Sequence, residues 1–262
     1  MKNLDISDLV VLVTGAGGQI GQALIEKLLF NDARVVAVDN DQDKLNQLEI
    51  NFKNKLQNII IDKIDVHKEN EVKLIFKKGN EKFGNINALV NNAGVAVFNS
   101  WKERSEQDFN FVVDVNLKGP FLFMREFLLN LNKINKKGVI VNVASHYGII
   151  SPNPTIYDDN DRRSSEVYGA TKAGLIQMSK YFSINGVLDG IDVRVNSIAP
   201  GGIINEKNPQ SKSFIEKYSK LNPMSRMAKV NEVVDPIIFL LSPMSSYING
   251  HTLVVDGGMT SW

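Results

Sequence analysis

The stretch Leu9-Val10-Val11-Leu12-Val13-Thr14-Gly15-Ala16-Gly17-Gly18-Gln19-Ile20-Gly21 decides the fold. Its first five residues would be apolar on both faces of an extended chain, which suits a strand covered on two sides. A glycine turn follows, and Ile20, Leu24 and Leu28 then recur at helical spacing within Gln19 to Asn31. Outward from there the alternation repeats. Arg34 to Val38 precedes an amphipathic run over Gln42 to Lys53, Asn58 to Asp65 precedes Lys68 to Phe83, and Ile86 to Val90 precedes one long helical region from Glu103 to Ile134. Gly138 to Val143, a helix over Val167 to Leu188 and a strand over Asp192 to Ser197 continue the series. Apolar strands alternating with helices predict an α/β fold, a doubly wound parallel sheet of about seven strands with helices on both faces.

The 262 residues carry 30 Lys plus Arg against 29 Asp plus Glu, a net charge of +1. No excess charge is left to attract a polyanion, so nucleic acid is not an expected partner. A chain of this length can bury roughly 70 to 75% of its unfolded surface in one core, and the expectation is a single domain over residues 1–262. With no cysteine, disulfides, thiolate metal ligands and Cys nucleophiles are excluded, and three scattered His give no metal site. Met1-Lys2-Asn3-Leu4-Asp5 is not an apolar leader, and the longest aliphatic or aromatic runs, such as Ile237 to Leu241, are too short to cross a membrane. A cytoplasmic protein is expected. Polar interruptions at Ser151 to Ser165 and Gly201 to Lys212 read as loops leaving strand ends, where open α/β sheets hold ligands. The substrate loops are therefore set at about residues 146–166 and 201–226.

A strand, a glycine turn and a helix start form a pyrophosphate cradle, because glycines admit the ligand to the backbone and unpaired N–H groups point at it. A tight structural turn is the plainer reading of the glycines alone. Asp39 raises the first reading, since it ends the second strand 18 residues after Gly21, near the spacing at which an acid meets the adenosine ribose. A carboxylate there accepts both ribose hydroxyls and repels a 2′-phosphate. No Arg or Lys occupies Ala16, Gly17 or Asn40, so NAD is expected in preference to NADP.

Tyr168-Gly169-Ala170-Thr171-Lys172 puts a phenol and an ammonium on one helical face, about 6 Å apart at Cβ. None of the other five tyrosines has a Lys at that offset. Ser145 leaves one buried strand at its carboxyl end, and Asn91-Asn92-Ala93-Gly94 leaves another. Singly, each could be a cap, a packing residue or a solvated side chain.

At this point the sequence resembles the short-chain dehydrogenase/reductase family in its single-domain, "classical" form, a Rossmann fold. The resemblance spans nearly the whole chain: the Thr14-Gly15 turn, Asp65-Val66, Asn91-Asn92-Ala93-Gly94, Asn116 within Val115-Asn116-Leu117, Ser145, Tyr168 with Lys172, Pro200-Gly201, and the closing Leu253-Val254-Val255-Asp256-Gly257-Gly258. It implies a catalytic tetrad of Asn116, Ser145, Tyr168 and Lys172. It also implies cofactor contacts from Gly15, Gly18, Gln19, Ile20, Gly21 and Asp39, from Asp65, Val66 and Asn92 around the adenine and its ribose, and from Ala93, Gly94, Tyr168, Lys172, Pro200, Gly201 and Ile203. A homotetramer is the implied assembly. Three departures stand out: Gln19 where the family has Gly, Asn205 where it has Thr, and a separation of 23 from Ser145 to Tyr168, about ten more than usual.

The implied chemistry is hydride exchange with a secondary alcohol or ketone. Tyr168 serves as acid/base, Lys172 and the oxidised nicotinamide favour its phenolate, and Ser145 holds the substrate oxygen. Asn116 would link Lys172 through water to solvent. The enlarged loop, with Arg162 and Arg163, resembles that of members linked to bacterial surface-sugar and flagellin-glycan pathways and suits a sugar-like substrate. Reduction of a 3-oxoacyl thioester and non-catalytic NAD sensing are the alternatives. His146 and His67 read as loop or surface residues, and Trp101 with Phe121, Phe123 and Phe127 as core or subunit interface.

Overall fold

A computed structural model describes residues 5–134, 137–157, 164–205 and 208–262. Seven strands form one sheet: β1 (Val10–Thr14), β2 (Arg34–Asp39), β3 (Ile59–Lys63), β4 (Ala88–Asn91), β5 (Gly138–Val143), β6 (Val193–Pro200) and β7 (Thr252–Val255). Every pairing is parallel, in the order β3-β2-β1-β4-β5-β6-β7. The chain reverses its direction of travel across the sheet between β1 and β4, where Val11 pairs with Ala88. The carboxyl ends of strands at such a switch point open a crevice for a ligand.

Alternation along each strand supplies two cores. Val11 and Val13 pack under α1 (Gln19–Phe30), α2 (Gln42–Asn51) and α8 (Val230–Leu241). Val10 and Leu12 pack on the other face against α3 (Glu69–Phe83), α5 (Gly119–Ile134) and α6 (Glu166–Leu188). Both faces are dry, as the continuous apolar strands require. Phe123 and Phe127 are core residues beside Phe76, whereas Trp101 is 70% exposed.

The helical region expected from Glu103 to Ile134 is interrupted. Ser105 caps α4 (Glu106–Val113) with a full capping box to Asp108. A π turn over Asp114–Lys118 follows, and only then α5. Such single wide turns inside a helix are frequent at functional sites, and this one carries one polar residue inward. Here that residue is Asn116, which is fully buried. The segment taken as a loop at 201–226 also contains a helix, α7 (Lys212–Leu221), capped by Ser211 and placing buried Tyr218 beneath the loop. Ile237 to Leu241 lies in α8, most of it facing the core. Among the described residues no helix is long and apolar enough to cross a membrane, and no group of three His, Cys, Asp or Glu could hold a metal.

Candidate active site

The glycine turn is fastened to the end of β4. The Thr14 hydroxyl accepts from the backbone N–H groups of Asn92 and Ala93, each at 3.0 Å, and the Asn92 amide donates to the carbonyls of Thr14 (3.1 Å) and Gly15 (2.9 Å). Gly15 has φ +65°, and a Cβ there would stand 2.7 Å from the Ala93 Cα. Only glycine fits both demands. Gly21, in the first turn of α1, passes so close that its Cβ would meet the Gly15 carbonyl at 2.3 Å.

No side chain caps α1 at Gly18, and no acid lies in its first turn. Its first N–H groups are thus available to an anion at the positive end of the helix. Asp39, buried at the end of β2, accepts from Gly17 N–H (2.9 Å) and Asp41 N–H (3.1 Å), which pins its carboxylate at the rim of the turn. These residues fit a dinucleotide: a diphosphate on the helix start and a ribose on Asp39.

Sequence reasoning missed Lys44. Its ammonium pairs with Asp41 at 2.9 Å, and the hydrogen bond to Asp41, with help from Asp39, raises its pKa. The signal was the Asp41 cap of α2, which receives Asp43 and Lys44 N–H. Asp65 Oδ1 lies 2.7 Å from His67 Nδ1, and Val66 packs against Gly119 at the start of α5.

At the other end of the crevice Ser165 caps α6, accepting Tyr168 N–H at 3.3 Å, so Tyr168 and Lys172 emerge one turn apart. Burial raises the pKa of the Tyr168 phenol, and the Ser145 side chain opposes that with a smaller effect. The Lys172 ammonium stands 5.7 Å from the Tyr168 ring centroid and donates to the Val143 carbonyl at 2.8 Å. Burial pulls its pKa down to about 8. Asn116 accepts from Val95 N–H (2.8 Å) and donates to the Val95 carbonyl (2.9 Å) and the Thr171 hydroxyl (3.3 Å). Its side chain therefore braces α6 and the β4 exit.

A cavity of about 630 Å³ joins the two ends. Ile20, Asn92 and Gly94 line it on the turn side, and Ser145, Tyr168 and Lys172 line its floor. Pro200, Gly201 and Ile203 form the opposite wall, with Ile203 bridged to Ala228. Gln19 acts as a brace, its amide donating to the Ile204 carbonyl at 2.7 Å. Gly15, Gly18, Gly21, Asp39, Asp65, Val66 and Ala93 lie outside that cavity lining. Asn205 and Gln210 join the wall, and Gln210 donates to the Ile203 carbonyl at 2.9 Å.

One reading is corrected. His146 is neither a surface residue nor a loose loop residue: it is 3% exposed and lines the cavity. Arg162 and Arg163 lie outside the described residues.

A parallel sheet with a glycine turn at its switch point, an acid ending β2 and a Ser, Tyr and Lys around one cavity defines a dinucleotide-dependent oxidoreductase. A family model described as enoyl-(acyl carrier protein) reductase matches residues 15–260. The chain is 33% identical to a 3-oxoacyl-(acyl-carrier-protein) reductase of Thermotoga maritima over 95% of this chain and 97% of that protein. It is 31% identical to glucose 1-dehydrogenase 2 of Bacillus subtilis over 98% and 95%. A solved short chain dehydrogenase from Leptospira borgpetersenii with bound NAD+ superposes with a TM-score of 0.87 at 35% identity, covering 97% of this chain and 93% of that one. The protein belongs to the short-chain dehydrogenase/reductase family and is an oxidoreductase that exchanges hydride between a nicotinamide cofactor and a secondary alcohol or ketone.

Proposed function

We propose that the protein is an NAD-preferring dehydrogenase of a sugar-like secondary alcohol, with Tyr168 as its acid/base. The observation that carries this reading is that Ser145, Tyr168 and Lys172 line one cavity, with Lys172 Nζ 5.7 Å from the Tyr168 ring centroid. When bound, the cofactor's nicotinamide supplies the hydride acceptor and, oxidised, a positive charge.

Tyr168 takes the hydroxyl proton as the carbinol C–H electron pair departs, which leaves a ketone and a protonated phenol. Ser145 holds the substrate oxygen beside that phenol. Burial alone disfavours both a Tyr168 phenolate and a Lys172 ammonium, but formed together they neutralise each other, so each supports the other's charged form. The Val143 carbonyl keeps Lys172 in place, and Asn116 sets the position of α6 beneath it.

Asp39 supports the preference for NAD, because a carboxylate held at the end of β2 by Gly17 N–H would repel a 2′-phosphate. The polar enlarged loop supports a sugar-like substrate, as in members tied to bacterial surface-sugar and flagellin-glycan pathways. Exposed Tyr181, Ile184, Val187 and Leu188 on α6 support a homotetramer, which sedimentation at micromolar concentration tests. A chain free of cysteine supports a reducing cytoplasm.

The likeness to the Thermotoga reductase favours a second reading, reduction of a 3-oxoacyl thioester. Incubating the protein with NAD and a metabolite extract, then identifying what is oxidised, separates the two. A polyhydroxylated alcohol supports the first reading. Faster turnover of an acyl thioester with NADPH rejects it. Cofactor binding with no turnover of any alcohol or ketone leaves a sensor.

A further inference from the structure

Gln19 is the first residue of α1, and its side-chain amide donates at 2.7 Å to the carbonyl of Ile204, 185 residues further along the chain. The bond joins two walls of the crevice. Ile20, next to Gln19, and Ile203, next to Ile204, both line the cavity of about 630 Å³. A glycine at position 19 could make no such contact, and the amide of the neighbouring Gln22 is engaged by the Gly17 carbonyl at 2.7 Å.

The loop on the far wall is held together by bonds of its own. Ile204 N–H donates to the Ala228 carbonyl and Ala228 N–H to the Gly202 carbonyl, each at 2.9 Å. The Gln210 amide donates to the Ile203 carbonyl at 2.9 Å, and its oxygen accepts Asn205 N–H at 3.3 Å. These contacts fix the loop to the stretches that lead into α7 and α8, and none of them touches α1. The Gln19 amide makes that link. Gln19 and Ile204 are both half-buried, so water can take the place of either partner, and the bond can open without disturbing the dry core.

The function proposed above puts a diphosphate at the start of α1 and a nicotinamide between the cavity floor and the Pro200–Ile203 wall. A ligand that reaches from one to the other lies along the seam that the Gln19–Ile204 bond closes. Resting on that reading, we propose that Gln19 is a positioning residue that straps the loop after β6 to the cofactor turn, so that the dinucleotide enters and leaves only when this bond opens. The strap then sets the pace of cofactor exchange, as moving loops do in many enzymes.

The test follows NADH fluorescence by stopped flow in wild type and in Gln19→Met, which keeps the length of the side chain and removes its donor. Loss of one such bond favours the open loop by about three- to tenfold, so association and release should both quicken by about that factor while Kd stays within about twofold. A side chain that held the ligand directly would speed release alone and weaken binding. One that merely braced the fold would lower the urea midpoint and leave both rates unchanged. Either result overturns the proposal. Hydrogen exchange on the wild-type protein without cofactor gives a check that needs no variant: Ile204 N–H should be protected, and exchange at the rate of an unstructured peptide overturns the strap, since the loop would already be open. Failure of the underlying reading looks different, as NADH then fails to bind wild type at all by calorimetry, whereas equal rates in wild type and Gln19→Met remove the strap alone.

Discussion

The Asn116 side chain donates to the Thr171 hydroxyl 3.3 Å away, tying the π turn to helix α6 one residue before Lys172. The same amide closes a two-way pair with the backbone of Val95. Three segments remote in sequence thus converge on one fully buried side chain.

Replacing Asn116 with Ala should therefore act on stability as well as rate. It orphans the Val95 N–H and carbonyl, and a loss of about 2–4 kcal/mol is expected, read as a shifted urea midpoint with unchanged slope. An unaltered midpoint would mean that the brace contributes nothing.

Tyr168→Phe removes one oxygen from the cavity floor and leaves the glycine turn and Asp39 untouched. Turnover should fall by about 10² or more while NAD affinity stays within a few fold. A variant that keeps over about a tenth of wild-type turnover contradicts the role given to the phenol.

Asp39→Ala should narrow the discrimination between NAD and NADP, because the repelling carboxylate is gone while Lys44 remains beside its site. The Gly17 and Asp41 N–H groups lose their acceptor, so a cost of about 1–3 kcal/mol should accompany it. Relative kcat/KM for the two cofactors decides the first point, and a wild type that already favours NADP refutes it.

Lys172 gives a pH signature. Unfolded, it holds its proton up to 10.5; folded, only to about 8. Between those values the unfolded chain binds more protons, so this residue makes stability rise with pH across that window, and its full penalty applies below it. Lys172→Met lifts a penalty of about 3 kcal/mol and loses the bond to Val143, worth about 1. The inactive variant should thus be about 2 kcal/mol more stable at pH 7, with the advantage gone by about pH 10.5. Equal urea midpoints at pH 7 would show that the buried ammonium costs nothing.

The sheet was legible because Val10-Val11-Leu12-Val13 and Val35-Val36-Ala37-Val38 admit few other placements, and the turn because Gly15 serves a backbone that no other residue can adopt. The π turn at Asn116 was not, since helix α4, the turn and α5 run on without a glycine or proline before Gly119 to mark the change. Nor was His146: its partner is a backbone carbonyl 54 residues away, and an imidazole in sequence carries no mark of that. Helix α7 hid in a polar stretch whose one deeply buried side chain, Tyr218, is held by the backbone of Gly202.

The seam between β1 and β4 also sets a timetable for the newborn chain. Val10 must wait for Asn87, 77 residues later, before its backbone N–H finds the acceptor it uses in the finished protein. At a synthesis rate of about 5–20 residues per second that wait is about 4–15 s, and contacts of such range are slow to form even afterwards. Until then Thr14 lacks the Asn92 and Ala93 N–H groups that clasp its hydroxyl, and the glycine turn is held only from the β2 side, through Asp39. A nascent fragment ending before β4 should therefore gain no protection from NAD against proteolysis. The ligand can begin to select the folded state only once the strand that faces β1 has emerged.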